Sequence, residues 1–477
     1  MSVQEKVGDA VWKADAVDVI SAVVANARHA MLGYATADQT SVDEAVTAVA
    51  WSLYKPEHAA ELAELAVSDT GLGNAPDKIV KNQRKTFGTL RDLLRVKTVG
   101  VIEEDKSLGL VKYAKPVGVV GAVCPSTNPA ATPVNKAMMA LKGRNAIVIA
   151  PSPAGYMTTE RTVNFMRDAL AVVGQPRDLV QILPAPINKA LTNELMRQVD
   201  LIVVTGSQNN VRAAYSSGTP AIGVGAGNVP VIIDASADLD EAARNICASK
   251  IFDNATSCSS ENAVVIVDDV YDEAIAALKR TGGYLANADE KAAVQAALWV
   301  DGKLNRKVIA KDAAILSREM SLPAAATSCK FIMVEESGVG KEFPFSGEKL
   351  ALVLTVYRAV NFAAAVEKTR DILNFQGRGH SCGIHTADFN HARELAESMD
   401  VVRVLVNQAH TFGNGGGFNS GLNFTLSMGC GTWGGNSISD NLNYRNFINI
   451  THLVTVIPED KPSEEALFAA HWSKYGK

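Results

Sequence analysis

Residues 117–151, VGVVGAVCPSTNPAATPVNKAMMALKGRNAIVIAP, decide the fold. An apolar run from Gly118 to Val123 ends in the polar loop Cys124-Pro125-Ser126-Thr127-Asn128-Pro129. A helix-length segment follows, and a second apolar run from Ala146 to Ala150 closes the unit. Two short apolar strands separated by an amphipathic helix predict a parallel pair joined by a crossover. Thr132 is placed to cap the helix, Pro133 to fill its first turn and Gly143 to end it in a left-handed conformation. The polar loop then lies at the carboxyl end of a strand, the edge where open α/β sheets bind ligands.

The same alternation extends downstream. Strands are expected at Leu179 to Leu183, Leu201 to Val204 and Val229 to Ile233, giving a doubly wound α/β sheet. A second α/β unit follows, with a helix over Ala237 to Ile251 and a strand at Ala263 to Val267. Further strands are expected at Phe331 to Val334, Leu350 to Tyr357, Ser381 to Thr386 and Val401 to Asn407, with helices at Val360 to Arg370 and Phe389 to Ser398. Upstream, Val11, Val17, Ile20, Val23 and Val24, then Trp51, Leu62, Leu65 and Ala66, recur at helical spacing and read as a packing layer without visible chemistry. Val96 to Ala114 alternates around Glu103-Glu104-Asp105-Lys106 and reads as a hairpin with a charged tip. That hairpin and the apolar run from Phe447 to Val454 look like edge strands that need partners. The expected division is a dinucleotide-binding domain of residues 1–95 and 117–236, a catalytic domain of 237–441, and an oligomerisation arm of 96–116 and 442–477.

Composition narrows the function. The chain has 477 residues, 47% hydrophobic and 20% charged, with a formal charge of -5, so no basic field attracts nucleic acid or an anionic membrane. Small molecules are the expected partners. The six cysteines are scattered, without the close pairs of a zinc site or redox dithiol, and no metal is expected. The amino terminus has helical spacing with acidic residues where a signal peptide would be uninterruptedly apolar, and no window approaches a membrane span. A reducing, cytoplasmic setting is the expectation.

The chemistry is read from Ala255-Thr256-Ser257-Cys258-Ser259-Ser260-Glu261-Asn262. A free cysteine is usually a small buried apolar residue. Cys258 instead stands among hydroxyls that make a poor apolar core, which suits a nucleophile. Upstream, Gly223-Val224-Gly225-Ala226-Gly227-Asn228 offers no carboxylate to activate water against an intermediate on that cysteine. Thr205-Gly206-Ser207, between a strand and a helix, is placed to turn backbone amides toward a pyrophosphate.

PSTNP at 125–129, ALKGRNAIV at 140–148, AAYSSGTPAIGVGAGNVPVIID at 213–234, Glu348-Lys349-Leu350 and GTWGGNSISDN at 431–441 stand in an order that resembles the aldehyde dehydrogenase superfamily, and within it the coenzyme A-acylating branch. The resemblance implies Cys258 as the nucleophile, Asn128 as the oxyanion donor, and Glu348 on the nicotinamide ribose. Thr205, Gly206, Ser207, Ser152, Gly223 and Gly225 are implied around NADP or NAD, with coenzyme A as co-substrate. Gly223 falls near the place of the glutamate that hydrolytic relatives use to activate water. His380 is typical of the branch and is a candidate for proton transfer. A nucleotide-independent cysteine acyltransferase, built on Cys258 and His380, is the alternative class.

The loop Gln408-Ala409-His410-Thr411-Phe412 is rich in donors where acetaldehyde-type relatives carry small residues, so a polar or anionic aldehyde is expected. The carboxyl-terminal pattern is most like members acting on sulfoacetaldehyde, with acetaldehyde and succinate semialdehyde as rivals. His410, Thr411, Arg403 and Arg445 are the candidates to meet a sulfonate. Family members associate through such arms, which implies a homodimer or homotetramer.

Overall fold

Four helices open the chain, α1 (Val3–Tyr34), α2 (Gln39–Tyr54), α3 (Pro56–Thr70) and α4 (Ala75–Leu94). The computed structural model describes residues 3–477, with side chains from residue 15 onward except Ala325, so the side chain of Val11 lies outside the described residues. Ile20, Val24, Val46, Val49, Leu53 and Leu62 form the buried side of this layer, as their spacing predicts, whereas Trp51 faces outward. Helix α4 is inverted. Its buried residues include Lys78, Lys81, Asn82, Lys85, Thr86 and Thr89, while Val80 and Phe87 are exposed. A helix can bury ammonium groups only where its neighbour supplies acceptors, because an unpaired buried charge is prohibitively costly.

The hairpin follows as β1 (Gly100–Asp105) and β2 (Leu110–Pro116), paired antiparallel. Its turn is Lys106 to Gly109, so Glu103 and Glu104 stand on β1 instead of at the tip. The Asp105 carboxylate closes the turn by accepting from the Ser107 N–H at 2.9 Å.

The first large sheet is built from β3 (Val119–Val123), α5 (Ala131–Lys142), β4 (Ala146–Ala150), α6 (Tyr156–Val172), β5 (Val180–Ile182), α7 (Lys189–Gln198), β6 (Leu201–Val204), α8 (Gln208–Tyr215) and β7 (Ala221–Gly223). Its order is β5-β4-β3-β6-β7, with every neighbour parallel. Strand β7 was hidden in sequence by its shortness and by the glycines after it. The punctuation of α5 differs from expectation. Thr132 gives no cap, and its hydroxyl is buried without a partner. Gly143 has φ -84°, and the left-handed residue is Arg144 at φ 61°. Gly143 is small for another reason: a Cβ there would run into the Phe447 carbonyl.

The chain then crosses to a second sheet, through β8 (Val229–Ile233), α9 (Leu239–Ile251), β9 (Glu261–Val267), α10 (Tyr271–Arg280), β10 (Gly283–Leu285), α11 (Ala288–Leu298), the short ribbon β11 (Trp299–Val300) and β12 (Lys303–Leu304), and α12 (Ala313–Glu319). It continues with β13 (Phe331–Glu335), β14 (Val353–Ala359), α13 (Phe362–Phe375), β15 (Gly379–His385), α14 (Phe389–Ser398), β16 (Val401–Val406) and the short α15 (His410–Gly413). The order is β10-β13-β14-β9-β8-β15-β16. Strand β8, grouped by sequence with the first unit, pairs instead with β9 and β15. The crossing between sheets therefore falls in residues 224–228, ahead of the expected boundary at 236.

Strand β17 (Ile448–Val454) returns to pair with β2, completing a three-stranded arm in the order β1-β2-β17. Helix α16 (Glu464–Tyr475) ends the chain with no buried residue. Among the described residues no helix is long and apolar enough to cross a membrane.

Candidate active site

The carboxyl ends of β3, β4 and β6 open into a cleft of about 740 Å³ that also receives the loops before β8 and β9. Its wall brings together Asn128, Ser152, Thr205, Gly206, Ser207, Gly225, Cys258 and Glu348. Ser207 caps α8, and the Thr205 hydroxyl lies 2.6 Å from the Ser427 hydroxyl across the two units. Among the described residues of that wall Glu348 is the one carboxylate and Lys189 the one cation.

Cys258 reaches the cleft by an unusual path. After α9 the backbone makes three successive left-handed residues, Asp253 at φ 49°, Asn254 at 53° and Ala255 at 58°. Such conformations are uncommon outside glycine and must be held by their surroundings. Behind the cysteine lies a wall of backbone. A Cβ on Gly227 would strike the Cys258 carbonyl, and one on Gly225 would stand 2.6 Å from the Cys430 sulfur. Burial pushes the Cys258 thiol up to about 12, and the Glu348 and Cys430 charges add to the shift. Burial likewise lifts the Glu348 carboxyl to about 8. Each group resists ionisation in this apolar setting, and their like charges oppose one another.

Five expected residues lie elsewhere. Gly223, the place assigned to the missing base, ends β7 and faces α8: a Cβ there would lie 2.5 Å from Val211 Cγ1, and the Tyr215 hydroxyl accepts its N–H at 2.9 Å. The residue at the cleft wall is its neighbour Val224. His380 and His410 form neither cavity wall. They share the Ser381 hydroxyl, at 2.8 Å from His380 Nδ1 and 2.9 Å from His410 Nε2. Burial and then the Arg403 charge hold the His380 ring well below its usual range and bring His410 to about 3, so both are neutral near pH 7. Arg403 is likewise internal, donating to the carbonyls of His380 and Gly429 at 2.8 Å each. Arg445 sits in the turn before β17 beside Tyr444. Glu261 is buried, accepts the His410 N–H at 3.0 Å, and is absent from both walls.

Thr411 belongs to a second, small cavity of about 30 Å³, which shares Asn128, Ser257, Leu426 and Met428 with the cleft. Three cations of α4 line it: Lys81, Arg84 and Lys85. Phe252, Phe412, Leu426 and Met428 supply apolar wall, so charge in this space is poorly screened. Lys81 is committed, donating to Asp253 Oδ2, to Asn128 Oδ1 at 3.0 Å and to Thr256 Oγ1 at 3.0 Å. Lys85 makes one bond, to the Gly415 carbonyl at 2.7 Å, and Arg84 one, to the Phe412 carbonyl at 3.2 Å. Burial, then the Arg84 and Lys81 charges, lower Lys85 to about 7, with the Cys258 sulfur opposing the shift. Sequence reasoning passed over these cations because their helix read as a packing layer. The available signal was Lys78, Lys81 and Lys85 at i, i+3 and i+7, a charged stripe too regular for a solvated face beside exposed Val80 and Phe87.

A thiol and an amide lining one cleft at the carboxyl edge of a parallel sheet, with a capped helix start beside them, fit a thiol-based oxidoreductase. Residues 2–295 match the aldehyde dehydrogenase family. Sulfoacetaldehyde dehydrogenase (acylating) of Cupriavidus necator is 52% identical over 463 residues, spanning 97% of this chain and 94% of that protein. An acetylating aldehyde dehydrogenase of Geobacillus thermoglucosidasius superposes with a TM-score of 0.90 at 34% identity, covering 94% of this chain and 99% of that one. A propionaldehyde dehydrogenase of Rhodopseudomonas palustris, solved with bound propionyl-CoA, superposes at 0.81 and 25% identity, covering 91% and 94%. The chain belongs to the aldehyde dehydrogenase family, in its acylating branch.

Proposed function

We propose that this enzyme oxidises sulfoacetaldehyde to its coenzyme A thioester while reducing NADP or NAD. The carrying observation is the small cavity at the Cys258 loop, where Arg84 and Lys85 set cationic donors beside the cleft, the chemistry that an aldehyde with an anionic head requires. The substrate of the Cupriavidus necator relative agrees with that chemistry. Succinate semialdehyde also carries an anion and is the nearest rival, whereas acetaldehyde has nothing for the cations to hold.

With the sulfonate against Arg84 and Lys85, the aldehyde carbon faces Cys258. The Cys258 sulfur bonds to that carbon, and the carbonyl oxygen takes up negative charge as its π bond opens. The Asn128 amide N–H and the Cys258 backbone N–H are the donors for that oxygen, and losing one such donor typically costs about 10²- to 10³-fold in rate. A bound nicotinamide dinucleotide supplies the hydride acceptor and a positive ring charge that favours the Cys258 thiolate. Loss of hydride from the carbon, as the oxyanion's lone pair closes the C=O bond again, leaves a thioester on Cys258. The sulfur of coenzyme A then attacks the thioester, and Cys258 departs as thiolate. Hydrolysis would require a base to deprotonate water, and the cleft wall before β8 offers Val224, Gly225, Ala226 and Gly227 in that place.

The residues of the cleft suit a dinucleotide. Its volume lies in the usual range for ligand sites, and Thr205 to Ser207 open α8 toward it. Glu348 is positioned to accept from a ribose hydroxyl. Around Ser152 the wall has Pro151, Pro153, Ile187, Asn188 and Lys189, with no carboxylate to repel a 2′-phosphate, so NADP is accepted beside NAD. We read the arm as a self-association element, because β17 is an edge strand with Ile450, Leu453 and Val454 exposed.

The test is a matrix of sulfoacetaldehyde, acetaldehyde and succinate semialdehyde with NADP or NAD, with and without coenzyme A, following reduced nicotinamide. Sulfoacetaldehyde should give the highest kcat/KM, with turnover dependent on coenzyme A. Sustained turnover without coenzyme A would refute the acylating reading. Acyl transfer without any nucleotide would instead support the acyltransferase alternative.

A further inference from the structure

The loop that carries Asn128 and the loop that carries Cys258 come from different units, yet they must stay in register to within a fraction of an ångström for an amide to meet a developing oxyanion. What joins them is the inverted face of α4. Lys78 donates to the Thr127 carbonyl at 3.2 Å and to Asp253 Oδ2 at 3.0 Å. One turn on, Lys81 donates to the same carboxylate oxygen, to Thr256 Oγ1 and to Asn128 Oδ1. Asp253 is fully buried at the start of the left-handed turn. Burial pushes its carboxyl up, and the Lys81 and Lys78 charges more than offset this, holding it below its usual value.

We propose that Lys81 is a positioning residue for the oxyanion amide. An ammonium can only donate, so its contact fixes which end of the Asn128 amide is oxygen. The nitrogen is thereby the other end of the amide, where one N–H is given to the Thr127 hydroxyl at 3.4 Å and the second is left for the substrate oxygen. Without Lys81 the amide could rotate and offer its oxygen to the oxyanion, a repulsive arrangement. Asp253 and Thr256 then act as the anchor that keeps Lys81 in place, and because Thr256 lies two residues before Cys258 the same ammonium ties amide and sulfur together. All three Lys81 donors are used in this way, which separates its role from that of Arg84 and Lys85. The proposal rests on Asn128 serving as the oxyanion donor and is independent of the aldehyde's identity.

The test is a double-mutant cycle between Lys81→Met and Asn128→Ala, measured with sulfoacetaldehyde and acetaldehyde. Lys81→Met leaves Lys78 on Asp253, so the buried carboxylate keeps a cation. The single change is expected to lower kcat about 10- to 100-fold for both aldehydes, within the range for losing an oxyanion donor, with KM for either aldehyde and the affinity for NADP or NAD within about threefold. In the Asn128→Ala background the same change should cost less than about threefold, because the amide it orients is gone. Lys81→Gln, which retains a donor, should recover part of the loss. Multiplicative losses in the cycle would overturn the proposal, since Lys81 would then act on something other than Asn128. So would a rise in KM confined to sulfoacetaldehyde, which would make Lys81 a sulfonate ligand. Should Lys81→Met not fold, Lys81→Ala, which also lacks the donor, takes its place in the cycle, and either wild-type kcat in that variant or multiplicative losses would equally refute the proposal. If Asn128→Ala alone leaves kcat unchanged, the oxyanion assignment fails first, and the positioning role fails with it.

Discussion

Replacing Lys85 by Met keeps the length and most of the volume of the side chain while removing its charge, which makes it a sharp probe of substrate choice. Lys85 is buried, bonds the Gly415 carbonyl and lines the small cavity proposed for the sulfonate. At 4 Å in a medium of effective dielectric near 20, two unit charges attract by about 4 kcal/mol. Part of that is offset by holding the ammonium out of water, an opposition visible in its lowering to about 7. A hydrogen bond to a charged group is worth about 1.5–3 kcal/mol net, so kcat/KM for sulfoacetaldehyde should fall about 10- to 150-fold. For acetaldehyde the change should stay within about threefold, as nothing in it reaches the lysine. The assay is initial-rate reduction of NADP or NAD at saturating coenzyme A, with both aldehydes on the same preparation. pH supplies a second axis. The ammonium is present below about 7 and lost above it, so the ratio of kcat/KM for sulfoacetaldehyde to that for acetaldehyde should decline as pH rises from 6 to 9. In Lys85→Arg, whose charge persists, the decline should vanish. Equal losses for the two aldehydes in Lys85→Met, or no loss for sulfoacetaldehyde, would refute the assignment of the small cavity to the sulfonate.

Cys258→Ala should abolish aldehyde oxidation while nucleotide binding, followed by fluorescence titration, is retained; loss of binding would mark a structural cysteine. With the thiol lifted to about 12, its alkylation by iodoacetamide without nucleotide should speed up about tenfold per pH unit between 7 and 9, and added NADP or NAD should accelerate it at fixed pH. Gly223→Glu should lower the unfolding temperature without conferring thioester hydrolysis, because its side chain would be driven into Val211 and Tyr215. Val224→Glu, at the cleft wall, is the variant expected to give reduced nicotinamide in the absence of coenzyme A. Gly143→Ala should destabilise the chain by about 1–3 kcal/mol, read by denaturant unfolding, as its methyl displaces the Phe447 carbonyl that Asn145 Nδ2 holds at 2.7 Å.

The sheets were legible because a strand buried on both faces must be apolar throughout, and Ala146–Ala150, Leu201–Val204 and Val229–Ile233 appear at their expected limits. Which sheet a strand joins is set by pairing across the fold, so β8 was assigned to the wrong unit. Local punctuation was less secure: Thr132 and Gly143 had the right chemistry for caps, yet α5 starts at Ala131 without a side-chain cap and Gly143 is kept small by the Phe447 carbonyl packed against it. The cleft could be anticipated because its loops at residues 124–128, 151–153, 205–207 and 224–227 each follow a strand and carry a distinctive run of small or polar residues. The cations of α4 could not, since their meaning depends on Asp253 and Asn128, far along the chain. His410 and Arg403 show the reverse error, polar residues whose partners are internal: the Ser381 hydroxyl and Glu261 carboxylate for His410, and the carbonyls of His380 and Gly429 for Arg403.

The wall of bare backbone behind Cys258 bears on how this enzyme can change by descent. A lineage drifting toward water as acceptor needs a carboxylate there, yet any side chain at Gly225 or Gly227 collides with Cys430 or with the nucleophile's own peptide. Single-step routes are thereby narrowed to Val224 and Ala226, and substitutions at the two glycines must displace packed atoms before they can be selected. The preference for a thiol acceptor is thus guarded by steric exclusion, and it should persist through long divergence even where the aldehyde accepted has shifted.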